Sequence, residues 1–169
     1  MMTPMQRFIH ITLAWACILG AGSAQDIFLD VGRPEAREHL GYGWGGNERS
    51  GPTRFAWIKE LEGDVWFDLM AAENLEITIR AVPFFVEHRR QPVALYVNNR
   101  YVTEWVCPHR SEWNFNPYTA AVPAELLKPG RNRLTLRMGY HVRSKKRFHA
   151  LAVESIRIRP VESEAEEGP

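Results

Sequence analysis

An all-β fold is what this chain predicts: an antiparallel two-sheet β-sandwich, most simply a jelly roll, with about eight or nine strands. Apolar residues recur at every second position in short runs from Asp26 onward, the mark of strands with one buried face. Turn-forming residues separate these runs. No stretch keeps a helical period over three turns, so no helix is on hand to cover a single sheet and two sheets must cover each other. The composition agrees, because 45% hydrophobic and 24% charged residues in a chain of 169 is ordinary globular material and excludes a disordered or fibrous protein. The length fits one domain.

The elements follow in order. Residues 1–24 read as a cleavable secretory signal: Arg7 supplies the positive charge, Phe8 to Gly20 the apolar run, and Ala21-Gly22-Ser23-Ala24 the small residues a signal peptidase requires. The apolar run, about 13 residues long, is short of the roughly 20 that span a bilayer, so stable membrane insertion after cleavage is not expected. Residues 25–160 form the sandwich. Ile27, Leu29 and Val31 point one way with Asp26 and Asp30 on the other side. Gly41 to Pro52 is glycine-rich and reads as a flexible connection. Val65, Phe67 and Leu69 alternate with Asp64, Trp66 and Asp68, and Leu75, Ile77, Ile79 and Ala81 with Asn74, Glu76, Thr78 and Arg80. Val93, Leu95 and Val97 run into Asn98-Asn99, a tight hairpin turn because asparagine tolerates positive φ. Trp105 to Tyr118 alternates poorly and reads as a long connection.

Pro123 to Leu127 suits one helical turn with proline at its start, and Lys128 to Asn132 a further turn before Leu134, Leu136 and Met138. The last run changes phase between Leu151/Val153 and Ile156/Ile158, which a bulge near Glu154 or Ser155 would reconcile. Residues 161–169 carry four glutamates and little to bury, as in an acidic disordered tail.

Cleavage after Ala24 would leave a neutral chain, and without the tail a body of 20 basic and 16 acidic residues. That mild excess does not point to nucleic acid, which calls for a strongly basic face. Cys107 would be the one cysteine left, so no disulfide within the chain is available. Cys107-Pro108-His109 has two readings, a reactive thiol or half of a metal site against a buried small apolar residue.

Asp30-Val31-Gly32, then Gly43-Trp44-Gly45-Gly46-Asn47-Glu48 and Arg54-Phe55-Ala56-Trp57, resemble the opening of galactose-binding-like jelly-roll domains, similar to those appended to bacterial membrane glycosyltransferases and other polysaccharide-handling proteins. Val93 to Asn98 and the Pro-x-x-Leu-Leu-x-x-Gly-x-Asn segment Pro123 to Asn132 are similar to the later signature of those domains. The resemblance spans about Asp26 to Arg159. It departs at Asn98-Asn99, where Asn-Gly is usual, and no transferase-type region accompanies it. It implies the fold, and a fold does not settle function.

Binding candidates come from three segments. Trp44, Asn47 and Glu48, with Arg54 beyond, set a flat aromatic beside planar polar groups, as the C–H face and hydroxyl rim of a sugar require; the alternative is that the glycines serve tight turns while Trp44 plugs the sandwich. Trp113 and Tyr118 lie in a segment that also holds Trp105, His109 and Arg110, and either bind or pack over an edge. Arg143 belongs to Tyr140 to His149, which has four Lys or Arg and two histidines, suited to an acidic or phosphorylated polymer or simply to a solvated hairpin. Trp66 is a stacking platform or a cover for its sheet, and Arg54 with Trp57 suggests a cation–π pair.

Gly-x-Ser-x-Gly, His-Glu-x-x-His and Cys-x-x-Cys are all missing from the sequence. No cofactor is expected, although a structural calcium ion would be sought at Asp30 and Glu154. The expectation is a secreted, non-catalytic carbohydrate-binding module for a surface or exported polysaccharide, periplasmic or extracellular. The alternatives are an envelope assembly protein that binds another protein and a glycan-processing hydrolase with two close carboxylates.

Overall fold

A computed structural model describes residues 26–108 and 113–161 of the protein. The expected signal, most of the acidic tail, His109 and Arg110 lie outside those residues. Twelve strands are present among the described residues: β1 (Ile27–Asp30), β2 (Trp44–Ser50), β3 (Thr53–Ile58), β4 (Glu62–Leu69), β5 (Leu75–Pro83), β6 (Gln91–Val97), β7 (Arg100–Cys107), β8 (Asn116–Val122), β9 (Gly130–Met138), β10 (Val142–Ser144), β11 (Arg147–His149) and β12 (Leu151–Pro160). One sheet runs β2-β3-β12-β5-β8 with β1 added beside β12, the other runs β4-β9-β6-β7, and β10-β11 is a separate hairpin. All pairings are antiparallel.

The period-two runs supply the layer between the sheets. Leu75, Ile77, Ile79 and Ala81 of β5 and Leu151, Val153, Ile156 and Ile158 of β12 face Val65, Phe67 and Leu69 of β4, Val93, Leu95 and Val97 of β6, and Leu134, Leu136 and Met138 of β9 in one buried cluster. The phase change in β12 is a bulge, with the register shifting between Val153 and Ser155, so one extra residue returns Ile156 and Ile158 to the core side.

Twelve strands exceed the expected eight or nine, and the additions are short or at edges. Gly41 to Pro52 is not a flexible connection: Trp44–Ser50 is the edge strand β2, paired with β3. Trp105 to Tyr118 is likewise not all connection, because Trp105–Cys107 finishes β7 and Asn116 opens β8. Each of these strands ends a sheet. β2 and β7 have solvent on much of both faces, and in β8 the open-side Pro117, Thr119 and Ala121 contrast weakly with Asn116, Tyr118 and Ala120, which blurs the apolar alternation a sequence reading depends on.

Two polar devices hold the connections. Asn98 and Asn99 turn from β6 to β7 with φ of 49° and 69°. Asn98 donates through Nδ2 to the Leu126 carbonyl and to Asn132 Oδ1, each at 2.8 Å, and accepts from the Arg133 amide at 3.1 Å. Asn132, fully buried, donates to the carbonyls of Lys128 and Gly130 at 2.8 Å. The turn before β9 and the β6-β7 hairpin are thus joined through two asparagines, and the single helical turn Ala124–Leu126 sits between them.

Candidate functional site

The outer face of the six-stranded sheet is divided in two. At one end Phe55 and Trp57 of β3, Val82 of β5 and Ala152 of β12 form a second buried cluster with Phe115 and Phe84. Trp113 closes over it, its ring centroid 5.2 Å from Phe55, 5.6 Å from Trp57 and 5.4 Å from Phe115. His149 of β11 meets Trp57 edge-on at 4.8 Å and stacks on Phe84 at 5.2 Å. At the other end the same face carries ion pairs: Arg157 with Asp26 at 2.5 Å, Arg159 with Glu76 at 2.6 Å and Arg80 with Glu154 at 2.6 Å.

The β12 bulge lies on the boundary. β3 pairs with β12 up to Val153 and β1 takes over the same edge from Ser155, so two short strands follow one another along one neighbour. Val31 continues the contact, its amide donating to the Glu154 carbonyl at 2.9 Å. Gly32 then passes so close to β3 that a Cβ there would come within 2.3 Å of the Arg54 carbonyl carbon. Where one strand hands over to the other a cleft of about 470 Å³ opens, lined among others by Phe28, Asp30, Arg33, Arg54, Arg80 and Glu154.

A second depression of about 300 Å³ adjoins it, shares Phe28, Asp30 and Arg33, and extends along the 3-10 segment Pro34–His39. Phe28, 63% exposed, stands between the two. Arg33 donates to Asp30 at 2.7 Å, and Arg80 to Glu154 at 2.6 Å. Arg54 lines the cleft and makes no hydrogen bond or ion pair among the described residues.

Of the residues singled out from the sequence, Arg54 lies in this cleft and the others lie elsewhere. Trp44 donates its indole N–H to the Asp64 carbonyl at 2.7 Å and packs against the main core. Just before it Gly43, at φ 86°, has no room for a Cβ, which would meet the Glu62 carbonyl oxygen at 1.8 Å. Asn47 accepts from Arg37 at 2.6 Å, and Glu48 pairs with Arg147 at 3.8 Å. Trp113, 44% exposed, caps the aromatic cluster. Tyr118 packs on Trp105 and hydrogen-bonds Cys107. Arg143 is on β10.

Asp30 and Glu154, proposed as places to look for calcium, both line the cleft, each with an arginine on it. Among the described residues no group of three His, Cys, Asp or Glu could hold a metal ion. Trp57 does not pair with Arg54, because an odd spacing on one strand places them on opposite faces, and Trp57 packs in the aromatic cluster instead. Trp66 lies under Arg131, whose guanidinium is 4.7 Å from the ring. Cys107 is 1% exposed, and burial pushes its thiol up to about 11, so it is a protonated core residue at neutral pH.

Phe28, Arg33 and Arg80 were not singled out from the sequence. Phe28 had a signal: it shares parity with Asp26 and Asp30, an aromatic on the polar side of its strand. Arg33 and Arg80 had none, since arginines on solvent-facing positions are common and only the bulge brings these two together.

No family model and no curated protein matches the chain. Solved structures do. The GH26-CBM35 β-(1,4)-mannanase of Podospora anserina aligns with 83% of this chain at 13% identity and a TM-score of 0.55, and the chain spans 29% of its length. The C-terminal CBM6 of a laminarinase from Zobellia galactanivorans aligns with 80% of this chain and 99% of its own length, at 10% identity and TM-score 0.52. The CBM35 of Cellvibrio japonicus Abf62 aligns with 79% of this chain and 92% of its own, at 14% identity and TM-score 0.50. At such identities the likeness is one of fold, and the chain has the two-sheet jelly-roll β-sandwich of these modules.

Proposed function

We propose that this protein is an exported, non-catalytic module that binds a surface or exported polysaccharide in the cleft between β1 and β3. The observation that carries the reading is the exposed Phe28 ring set between two adjoining depressions edged by arginine, carboxylate and hydroxyl groups. A pyranose offers an apolar C–H face to such a ring and hydroxyls to such an edge. The Arg33–Asp30 and Arg80–Glu154 pairs restrain one another before ligand arrives, which lowers the ordering cost of binding. Arg54 adds donors not engaged by the protein. The solved structures of like fold include a CBM6 and a CBM35, carbohydrate-binding modules, which supports a glycan as the ligand.

The cleft's two carboxylates, Asp30 and Glu154, are each engaged by an arginine, an arrangement that supports binding. Export rests on residues 1–24 read as a signal peptide, which puts the sandwich at 25–160 and the acidic tail at 161–169, in the periplasm or outside the cell. No helix among the described residues is long and apolar enough to cross a membrane.

The test is a screen of the chain from Gln25 against a glycan array and insoluble polysaccharides, beside Phe28→Ala and Arg54→Ala. Saturable binding that weakens about tenfold or more in Phe28→Ala, as loss of a stacking aromatic implies, is expected. Binding indifferent to both substitutions, or to no glycan at all, would sink the reading and leave the envelope-assembly alternative to be pursued through its partner.

A further inference from the structure

Two hairpins of this fold turn on one backbone geometry with different residues. Asn98-Asn99 has φ of 49° and 69°, and Lys145-Lys146 has φ of 47° and 69°. Two-residue turns of this kind favour Asn-Gly, because both positions are left-handed. Asparagine offsets the crowding of its Cβ with a short polar side chain, as Asn98 does here. Lysine has no such compensation. The β10-β11 turn thus holds two ammonium groups at its tip where the backbone favours other residues.

The rest of the hairpin points the same way. From Gly139 to Val153 there is no Asp or Glu, and four residues are Lys or Arg. Arg143 stands opposite Phe148 and Val142 opposite His149. His149 faces the aromatic cluster and Arg147 reaches toward Glu48, so these close the hairpin against the sheet. The other side carries Arg143 and Phe148, and His141 stacks on Phe148 with centroids 4.5 Å apart and planes 20° from parallel. The Lys59 carbonyl, 3.1 Å from His141 Nδ1, steadies that ring. Arg143, Lys145 and Lys146 make no hydrogen bond or ion pair among the described residues.

We propose that this hairpin is a second binding site, for an anionic polysaccharide: the His141–Phe148 stack carries a sugar ring, and Arg143, Lys145 and Lys146 hold its carboxylate, sulfate or phosphate groups. Free cations beside an apolar ring complement a charged sugar. A lipid surface fits less well, since Phe148, 40% exposed and already stacked, is the one large apolar side chain exposed on the hairpin and interfacial insertion needs a broad apolar face. The site shares the class of partner with the cleft but none of its residues. A chain that bound no neutral glycan yet held polyanions through the hairpin would fail the cleft reading and keep this one.

The experiment titrates the chain from Gln25 with dextran sulfate, polygalacturonate and neutral dextran, and with phosphatidylglycerol vesicles, over a salt series. The variants are Lys145→Asn/Lys146→Gly, which installs the preferred turn residues and so stays folded, and Arg143→Gln. Expected are binding to at least one of the two anionic polymers but not to neutral dextran, about tenfold weaker in the double variant, and a log–log salt slope smaller by about one to two. The melting temperature of the double variant should be equal or higher. Polymer affinity unchanged in both variants, or binding to vesicles and to neither anionic polymer, overturns the proposal.

Discussion

The two ends of the six-stranded sheet's outer face are built from the same strands and do opposite things. Around Trp57 the face is apolar and roofed by Trp113, Phe115, Phe84 and His149, so the sheet is buried on both sides there. Around Arg80 it is polar and open, and its side chains pair with one another instead of with a covering layer. The bulge in β12 and the change from β3 to β1 divide the two. A ring buried in the roof contributes stability through area removed from water and through dispersion. An exposed ring such as Phe28 contributes little to folding and stays available to a ligand.

The contrast is sharpest in a pair of substitutions. Trp57→Ala should lower the unfolding free energy by about 3–5 kcal/mol, as large-to-small changes in cores do, read from urea denaturation. Phe28→Ala and Arg54→Ala should stay within about 0.5 kcal/mol of the parent, with their effect confined to glycan binding. Equal destabilisation by Trp57→Ala and Phe28→Ala would break the division, because it would make Phe28 part of the packing.

A smaller effect is expected from His149. Burial, then the neighbouring Lys59 and Arg147, hold this imidazole below its ordinary value of 6.5, with Glu48 acting in the opposite direction. The unfolded chain therefore takes up this proton first as pH falls, so its contribution to stability is full above about 6.5 and declines as pH drops through the lower folded value. Melting temperatures at pH 7 and pH 5 should differ less in His149→Phe than in the parent. An identical pH dependence in the two would place the titration elsewhere.

Much of the inner layer could be read before the structure. Leu75 to Ala81 and Leu134 to Met138 alternate cleanly because each has one face in the core and one in solvent. The phase break at Glu154 declared the bulge, and Asn98-Asn99 declared its turn. The strand β2 left little mark, since an edge strand with polar residues on both sides has the composition of a loop, and β8 left little because Pro117 and Ala121 on its open side differ little in character from Tyr118 and Ala120 on the other. The second apolar cluster was hidden for the opposite reason: Phe55 to Ile58 is buried on both faces, so its alternation disappears into a continuous apolar stretch.

The candidate cleft was less legible than the fold. Its residues are scattered along the chain, with Phe28 on β1, Arg54 on β3, Arg80 on β5 and Glu154 at the bulge. The sequence by itself determined which residues face inward, where the chain turns and that the fold is all-β, because periodicity and turn chemistry are properties of a few consecutive residues. The tertiary structure decided which strand edges meet, which half of the outer face is roofed and where a cleft opens. Those depend on pairings between residues as far apart as Phe28 and Arg157, and no local pattern records a pairing between distant strands.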